Sequence, residues 1–215
     1  MKRLAAICCA LPLLLCSCLG GVVPKEMRTA ENLSRDLGDY SSSSHLRRFA
    51  YERYADRASL EGDRAAAGLF SALARSEQVH ETSCRRAAEL FDVKCDRTSA
   101  IPVPVGTTGE NLLASIAVER ERLGNPRGVA VKRAVDCGNY YVARTFIWID
   151  ATNRRHIELL EHRLATHPND SLPCSHYRVC PGCGNIYEGE NYDAWCPLCR
   201  THHGSFESYG LLAGE

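Results

Sequence analysis

Two Cys-x-x-Cys pairs near the end of the chain constrain its fold more than any other feature of the sequence. The pairs are Cys180–Cys183 and Cys196–Cys199, with twelve residues between them. A pair at this spacing curls around a metal ion with both thiolates pointing inward, and two such knuckles complete a tetrahedral site of four sulfurs. The sequence therefore predicts one metal ion in this segment. Zinc and iron both remain open, because each accepts four thiolates.

The alternative for the same cysteines is a pair of disulfides in an exported protein. The symmetric spacing, with Pro and Gly inside the pairs, favours the metal site. A lobe of about 40 residues cannot bury enough apolar surface to fold alone, so metal binding is expected to supply much of its folding free energy. The candidates for an aromatic cluster around the metal are Tyr177, Tyr187, Trp195 and Phe206.

The preceding part of the chain has the apolar spacing of long amphipathic helices. Four helices are predicted, at residues 30–60, 63–91, 109–136 and 139–165. Gly62 and Gly138 follow the first and third helices, where glycine commonly ends a helix. Thr107–Glu110 has the pattern of a capping box at the start of the third helix. The segment between helices two and three, at about 18 residues, is too long for a tight turn and indicates a crossover along a bundle.

An internal repeat supports two helical hairpins of similar design. The tripeptide Glu31–Leu33 recurs as Glu110–Leu112. Three further residues recur at an offset of 76 residues: Gly62, Phe70 and His80 as Gly138, Phe146 and His156. The alternative is a chance similarity between two amphipathic hairpins.

The first 20 residues have the pattern of an export leader. Two basic residues precede a 12-residue apolar stretch, Leu4–Leu15. That stretch is too short to span a bilayer, for which about 20 residues are needed. It leads into Leu-Cys-Ser-Cys, which resembles a bacterial lipobox, and cleavage before Cys18 would leave that residue as a lipidated N-terminus. We therefore expect an exported lipoprotein of the bacterial cell envelope, with an ordinary secretory signal or an uncleaved anchor as alternatives.

Charge and composition exclude two classes of protein. The 26 basic side chains balance the 26 acidic ones, so the basic excess of a nucleic-acid-binding protein is missing and no nucleic-acid partner is expected. The apolar fraction of 45% is too high for an intrinsically disordered chain. A folded core is therefore expected.

Four cysteines lie between the leader and the first Cys-x-x-Cys pair. They are Cys84, Cys95, Cys137 and Cys174. An exported location permits disulfides, which would join Cys84 to Cys95 and Cys137 to Cys174. Buried thiols are the alternative, and the sequence does not decide between the two states.

Residues 177–190 and 196–199 resemble the C-terminal rubredoxin-like domain of rubrerythrins. The first segment reads YRVCPGCGNIYEGE and the second reads CPLC. The resemblance implies a mononuclear iron centre, bound by the cysteines of the two pairs, that passes single electrons.

The helical part resembles the same family. Ferritin-like di-iron bundles take one Glu from each of two helices and a Glu-x-x-His motif from each of the other two. The segment 77–80, Glu-Gln-Val-His, matches this motif on helix two, Glu119 matches the Glu of helix three, and His156 matches the histidine of the second motif. The resemblance therefore implies a set of candidate residues for a residual bundle site: Glu77, His80, Glu119 and His156.

Three positions depart from the family pattern. The Glu expected on the first helix falls near Ser44, in a run of four serines. The Glu of the second motif is Asn153, and a further family Glu, three residues after Glu119, is Arg122. Two divalent ions need several bridging carboxylates for charge neutralisation, and two carboxylates are too few. A di-iron centre is therefore not expected, whereas one metal ion in the bundle, or none, is open.

Arg122 offers an explanation for the missing carboxylates. Helical spacing places it one turn beyond Glu119, and an always-charged guanidinium suits carboxylates. We expect Arg122 to replace a metal cation by bridging Glu77 and Glu119, with Asn153 donating to the same carboxylates. The alternative is a rotated third helix with Arg122 in solvent.

The chain is therefore identified as a member of the rubrerythrin family with a mainly α fold. The expected parts are a leader at 1–20, a ferritin-like four-helix bundle at 28–165, a linker at 166–175 and a small C-terminal rubredoxin-like metal-knuckle domain at 176–210.

Three classes of function agree with these features. In the rubrerythrin family the rubredoxin centre feeds electrons to a di-iron site that reduces hydrogen peroxide, and head-to-tail dimerisation brings one subunit's rubredoxin lobe near the partner's bundle. The second class is a non-catalytic metalloprotein, in which the metal site carries electrons or is a structural zinc site and the bundle is a scaffold. The third class is a lipid-anchored interaction module of the envelope. We expect an exported, homodimeric, iron-binding protein with an electron-transfer or peroxide-reducing role. Its redox partner and any catalytic residues are not identified by the sequence.

Overall fold

A computed structural model describes residues 25–95, 102–124, 127–167, 176–190 and 192–210. The described helices are α1 (Lys25–Leu60), α2 (Arg64–Leu90), α3 (Thr108–Gly124), α4 (Arg127–Asp136) and α5 (Tyr140–Thr166). The third predicted helix, 109–136, is divided into α3 and α4. In the sequence, Pro126 lies between α3 and α4. A proline interrupts a helix because it has no N–H to donate and clashes with the preceding turn. The prediction of one continuous helix did not take this residue into account.

The ends of the helices follow the predicted local signals. Gly62 and Gly138 adopt the left-handed conformation, with φ of 78° and 76°, which glycine enters without a steric penalty. At the start of α3 the N–H of Thr107 donates to Glu110 Oε2 at 2.7 Å, and the N–H of Glu110 donates to Thr107 Oγ1 at 3.4 Å. The predicted capping box is therefore confirmed.

Two of the three apolar clusters found among the described residues lie in the helical bundle. One packs the aromatic rings of Tyr51 and Phe70 against α3 and α5, and the other is centred on Tyr40 and Phe146, whose rings stack at 4.1 Å. Phe70 and Phe146 are repeat-related, and both are fully buried. The duplicated hairpins therefore contribute equivalent side chains to the two clusters.

The C-terminal lobe contains a three-stranded antiparallel sheet in the order β2-β1-β3. Its strands are β1 (Tyr177–Val179), β2 (Ile186–Glu188) and β3 (Glu207–Tyr209). Of the predicted aromatic cluster, Tyr187 and Phe206 stack at 4.9 Å beside the cysteines. The prediction is wrong for Tyr177, which packs into the bundle core, and for Trp195, which is half-exposed. Tyr177 lies on β1, which packs against the bundle, so its ring is buried in the bundle core and not beside the cysteines.

The lobe packs on α2 and α5 of its own chain. Val179 and Ile186 belong to the same apolar cluster as the bundle residues around Phe70. Arg75 of α2 donates to both carboxylate oxygens of Glu207, at 2.6 and 2.7 Å. The lobe and the bundle therefore share one core, and a bidentate ion pair fixes their contact.

Several predictions concern residues outside the described ranges. The leader at 1–20 with Cys18, most of the linker at 166–175, and Cys174 all lie there. Cys84 and Cys95 both pack at the apolar cluster around Phe146, and their pairing stays a prediction. None of the helices in the described ranges is long and apolar enough to cross a membrane.

Candidate metal centres

The four cysteines of the two knuckles come together at the tip of the lobe. Their Sγ atoms all lie within 4.8 Å of one another. The Sγ atoms of Cys180 and Cys199 are 3.4 Å apart, and those of Cys183 and Cys196 are 3.6 Å apart. Metal–sulfur bonds of about 2.3 Å in a tetrahedron give sulfur separations of about 3.8 Å. The cluster therefore fits one tetrahedral metal ion.

The backbone of the knuckles also supports bound thiolates. Three N–H groups donate to sulfurs: Gly182 to Cys180, Asn185 to Cys183 and Cys199 to Cys196. Hydrogen bonds of this kind stabilise the charge on a metal-bound sulfur and raise the reduction potential of an iron centre. Gly182 is required sterically, because a Cβ atom there would meet Thr201 Oγ1 and the Sγ of Cys199 at 2.9 Å.

The thiols of the cluster share hydrogen bonds with one another. Hydrogen bonding with Cys180 and Cys196, together with burial, raises the pKa of Cys183 far above its usual value, whereas hydrogen bonding with Cys180 and Cys183 lowers the pKa of Cys196 far below it. A metal ion would supply a positive charge that favours the thiolate form of all four cysteines.

The bundle brings together the four predicted residues of its candidate site. Glu77 and His80 come from α2, Glu119 from α3 and His156 from α5, and each is at most 1% exposed. His156 Nδ1 lies 3.6 Å from Glu77 Oε1 and 3.5 Å from Glu119 Oε1. His80 Nδ1 lies 3.3 Å from Glu77 Oε2. These contacts establish a common buried pocket, and a role of the four residues in metal binding stays a prediction.

Arg47 of α1 joins the two carboxylates of this pocket. Its guanidinium donates to Glu77 Oε2 at 2.6 Å and to Glu119 Oε2 at 3.1 Å. Tyr51, one turn later on α1, donates to Glu119 Oε1 at 2.7 Å. The prediction from the sequence overlooked both residues. The available signal was the helical period, since Arg47 lies three residues after Ser44, the position predicted to face the interior.

The prediction that Arg122 bridges Glu77 and Glu119 is wrong. Arg122 is buried, but it donates to Ser43 of α1 instead. Within the described residues, its Nε and one terminal nitrogen have no hydrogen-bond partner, and the same holds for both polar side-chain atoms of Asn153. The predicted donation from Asn153 is therefore also wrong. The physical reason is that both carboxylates already face Arg47, which reaches them from the opposite helix.

Charge and burial act against each other in the pocket. Burial alone would raise the pKa of Glu77, but Arg47 and the two histidines outweigh it and hold that pKa below its usual value. The pKa of Glu119 is lowered in the same way, mainly by Arg47 acting against burial. Burial lowers the pKa of His80 despite the nearby Glu77. The pocket therefore holds two ionised carboxylates and a guanidinium.

Two hydroxyl groups fix the orientation of the histidines. Ser76 donates its single proton to the carbonyl of Gly184 at 2.7 Å, so it accepts from Nε2 of His156 at 2.9 Å. Thr152 donates to a backbone carbonyl of its own helix and accepts from Nε2 of His80 at 2.8 Å. Both Nδ1 atoms are thereby directed at the carboxylates. Ser76 and Thr152 are themselves repeat-related, so each hairpin orients the histidine of the other.

The lobe touches the bundle pocket at Gly184, directly after the second cysteine of the first knuckle. Its φ is 84°, and a Cβ atom there would lie 2.6 Å from His80 Nε2 and 2.8 Å from Ser76 Oγ. Only glycine allows the knuckle backbone to approach this closely. A hydrogen-bonded path therefore runs from Cys183 through the Gly184 carbonyl and Ser76 to His156.

Comparisons with known proteins give a consistent picture. No protein-family model matches the chain. Rubrerythrin-1 of Clostridium acetobutylicum is 26% identical over 193 residues, which cover 85% of this chain and 95% of that protein. The structure of fully reduced, all-ferrous nigerythrin matches with a TM-score of 0.68 at 23% identity, covering 84% of this chain and 86% of that one. Bacterioferritin BfrA of Mycobacterium tuberculosis matches with a TM-score of 0.57 at 19% identity, covering 62% of this chain and 84% of that one.

The structural likeness confirms the predicted fold, a ferritin-like bundle followed by a rubredoxin-like knuckle domain. The di-iron centre typical of such bundles does not fit the residues present. Ser44, Asn153 and Arg122 supply no carboxylate, and the remaining two carboxylates are already joined by Arg47. The cysteine cluster, in contrast, fits one metal ion without any change.

Proposed function

We propose that the chain, which is similar to Rubrerythrin-1 over 85% of its length, carries one iron ion at Cys180, Cys183, Cys196 and Cys199 and passes single electrons through it. The observation that carries the proposal is the convergence of the four sulfurs within 4.8 Å. A bound iron would supply one-electron chemistry between its ferric and ferrous states. Binding of the ion, its shielding from water and its connection to the bundle depend on residues of the chain.

The knuckles hold and tune the site. The three backbone N–H groups that donate to sulfurs stabilise negative charge there, and so favour the reduced state. Cys180, Cys183 and Cys196 are buried, which keeps water from the metal, whereas Cys199 is partly exposed. An external redox partner would therefore approach on the side of Cys199.

The path from Cys183 to His156 connects this site to the bundle. Gly184 accepts from Ser76, and Ser76 accepts from His156, so no gap filled with solvent separates the lobe from the pocket. This connection lies within one chain. The family's head-to-tail dimer would provide contact between a lobe and the partner's bundle, whereas here the chain's own lobe already covers the pocket.

The proposed activity is electron transfer alone. Peroxide reduction of the kind known in the family depends on metal ions in the bundle, and the bundle of this chain does not fit a di-iron centre. A weakened peroxidase role would require at least one metal ion among Glu77, His80, Glu119 and His156. The contact of Arg47 with both carboxylates argues against it.

The proposal also includes attachment to the cell envelope and a homodimer. The lipobox-like sequence before Cys18 supports export with a lipid anchor. Exposed apolar side chains of α3 and α5 offer a surface for a second copy, among them Leu113, Val118, Tyr140 and Ile147. Both features remain proposals that rest on the sequence and on exposure.

The test is the visible absorption spectrum of the purified chain together with its response to reduction. We expect a red protein with ferric–thiolate bands that bleach on uptake of one electron per chain. Replacement of Cys183 by Ala should abolish the bands and unfold the lobe, with most of the helical circular dichroism retained. A colourless protein that binds zinc under iron-sufficient conditions would instead support a structural role for the knuckles.

A further inference from the structure

We propose that Arg47 is an internal cation that takes the place of a bound metal ion in the helical bundle and keeps the pocket of Glu77, Glu119 and His156 free of metal. The proposal does not depend on which metal the knuckles bind. It assigns to Arg47 the charge-neutralising role that divalent ions have in bundles of this fold.

The position of Arg47 carries the proposal. The side chain is 6% exposed and contacts one oxygen of each carboxylate, at 2.6 Å to Glu77 and 3.1 Å to Glu119. A guanidinium cannot be deprotonated in a protein, so this positive charge is permanent. It joins carboxylates from two helices in the way that a bridging metal ion would.

The charge of the pocket decides between Arg47 and a metal ion. Arg47 already contacts both carboxylates of the pocket, and the hydroxyl of Tyr51 donates a further hydrogen bond to Glu119. A divalent ion added beside Arg47 would leave an uncompensated positive charge in a dry interior, which is unfavourable. A divalent ion without Arg47 would match the two negative charges of the carboxylates.

The residues one helical turn away from the pocket also disfavour a bound metal ion. Ser44, Asn153 and Arg122 lie one helical turn from Arg47, His156 and Glu119 respectively, and none of them is acidic. Arg122 is buried and contacts α1 through Ser43. The layer therefore brings a second permanent positive charge instead of the carboxylates that a metal ion would require.

The same geometry contains a latent metal site. One ligand atom from each of Glu77, Glu119 and His156 lies within 4.8 Å of the other two, and His156 Nδ1 is 3.6 Å from Glu77 Oε1 and 3.5 Å from Glu119 Oε1. Metal–oxygen and metal–nitrogen bonds of about 2.0–2.1 Å give ligand separations of about 3.3–3.4 Å in a tetrahedron. Ser76 holds His156 with Nδ1 toward these oxygens. Removal of Arg47 should therefore convert the pocket into a site for one divalent ion.

The test is a cobalt titration of the full chain with zinc already bound at the knuckles. We expect the wild-type chain to hold no second ion after desalting. Arg47→Met and Arg47→Gln should each hold one Co²⁺, so that metal per chain rises from one to two, with the visible bands of an oxygen- and nitrogen-ligated ion. Arg48→Met is the matched control, because Arg48 is the next residue and pairs with Glu52 and Glu81 at the margin of the bundle. It should behave as wild type.

Two results would overturn the proposal. One is a wild-type chain that retains a second Co²⁺ and loses it on replacement of His156 by Gln. The other is a folded Arg47→Gln chain that retains no second ion. The first measurement needs no variant of Arg47, so it can overturn the proposal even where such variants do not fold.

Discussion

Arg47 and Glu77 form a buried ion pair of 2.6 Å between α1 and α2. The same guanidinium reaches Glu119 of α3, so that one permanent charge links three helices. An internal cation of this kind lets the bundle keep two acidic residues of a metal site without a metal ion.

Replacement of Arg47 by Ala should therefore destabilise the chain strongly. Removing one partner leaves two buried carboxylates uncompensated, which costs about 3–5 kcal/mol. The measurement is urea unfolding with the knuckle metal bound and no other divalent ion present. Arg120→Ala is the control, since Arg120 pairs with Glu161 on the surface, and it should change the free energy of unfolding by about 0–1 kcal/mol. Equal effects of the two replacements would contradict the buried role of Arg47.

Gly184→Ala should separate the lobe from the bundle. The positive φ disfavours alanine by about 1–2 kcal/mol, and the added Cβ would contact His80 and Ser76 at 2.6 and 2.8 Å. We expect faster proteolysis of the lobe and lower stability, measured by limited digestion and urea unfolding. Gly128→Ala is the control. Gly128 lies in α4, where an added Cβ atom would meet nothing within 4 Å, and alanine there should stabilise the helix by up to about 1 kcal/mol.

Asp63 should make stability depend on acidic pH. It caps α2 by accepting from the N–H of Ala66 at 2.8 Å, and it pairs with Arg163 and His167. Burial alone would raise the pKa of Asp63, but these partners lower it below the usual value. Because the folded pKa lies below the unfolded pKa of about 3.9, the stabilisation is present above about pH 5 and is lost as pH falls through the folded pKa.

The comparison of wild type with Asp63→Asn tests this dependence. Asparagine keeps the helix cap but carries no charge. The difference in free energy of unfolding between the two chains should shrink as the pH falls below about 4. A difference that does not change down to about pH 3 would show that the charge of Asp63 contributes nothing.

Replacement of Cys18 by Ser should release the protein from the membrane fraction. The reason is that a lipid chain can be attached only to the thiol of the cysteine that follows the cleavage site. Fractionation of cells that express either form measures the outcome, with Cys16→Ser as the control within the same leader. Unchanged membrane retention of the Cys18→Ser chain would contradict the proposed anchor.

The sequence was sufficient for features that depend on local spacing. The cysteine pairs and the capping box each follow from a motif within one element, whereas the inward direction of Glu77 and His156 was implied by the family resemblance. The error at Arg122 has a different origin. Helical spacing correctly predicted that Arg122 is buried. It does not determine whether Arg122 of α3 or Arg47 of α1 contacts the carboxylates.

The junction between lobe and bundle was also beyond prediction from the sequence. Ser76 and Thr152 share the offset of the internal repeat, yet hydroxyl groups in helices are common, and nothing local indicates that each would bind the opposite histidine. The close approach of Gly184 depends on how the lobe packs on α2, which is a tertiary property.

The number of iron ions bound per chain tests the account most directly. The wild-type chain would be exposed to excess ferrous iron without oxygen, desalted, and analysed for metal and protein together. We predict one iron per chain, and none in a chain with Cys183 replaced by Ala. Two or three irons per wild-type chain would contradict the account, because the additional ions would have to lie in the pocket that Arg47 is proposed to close.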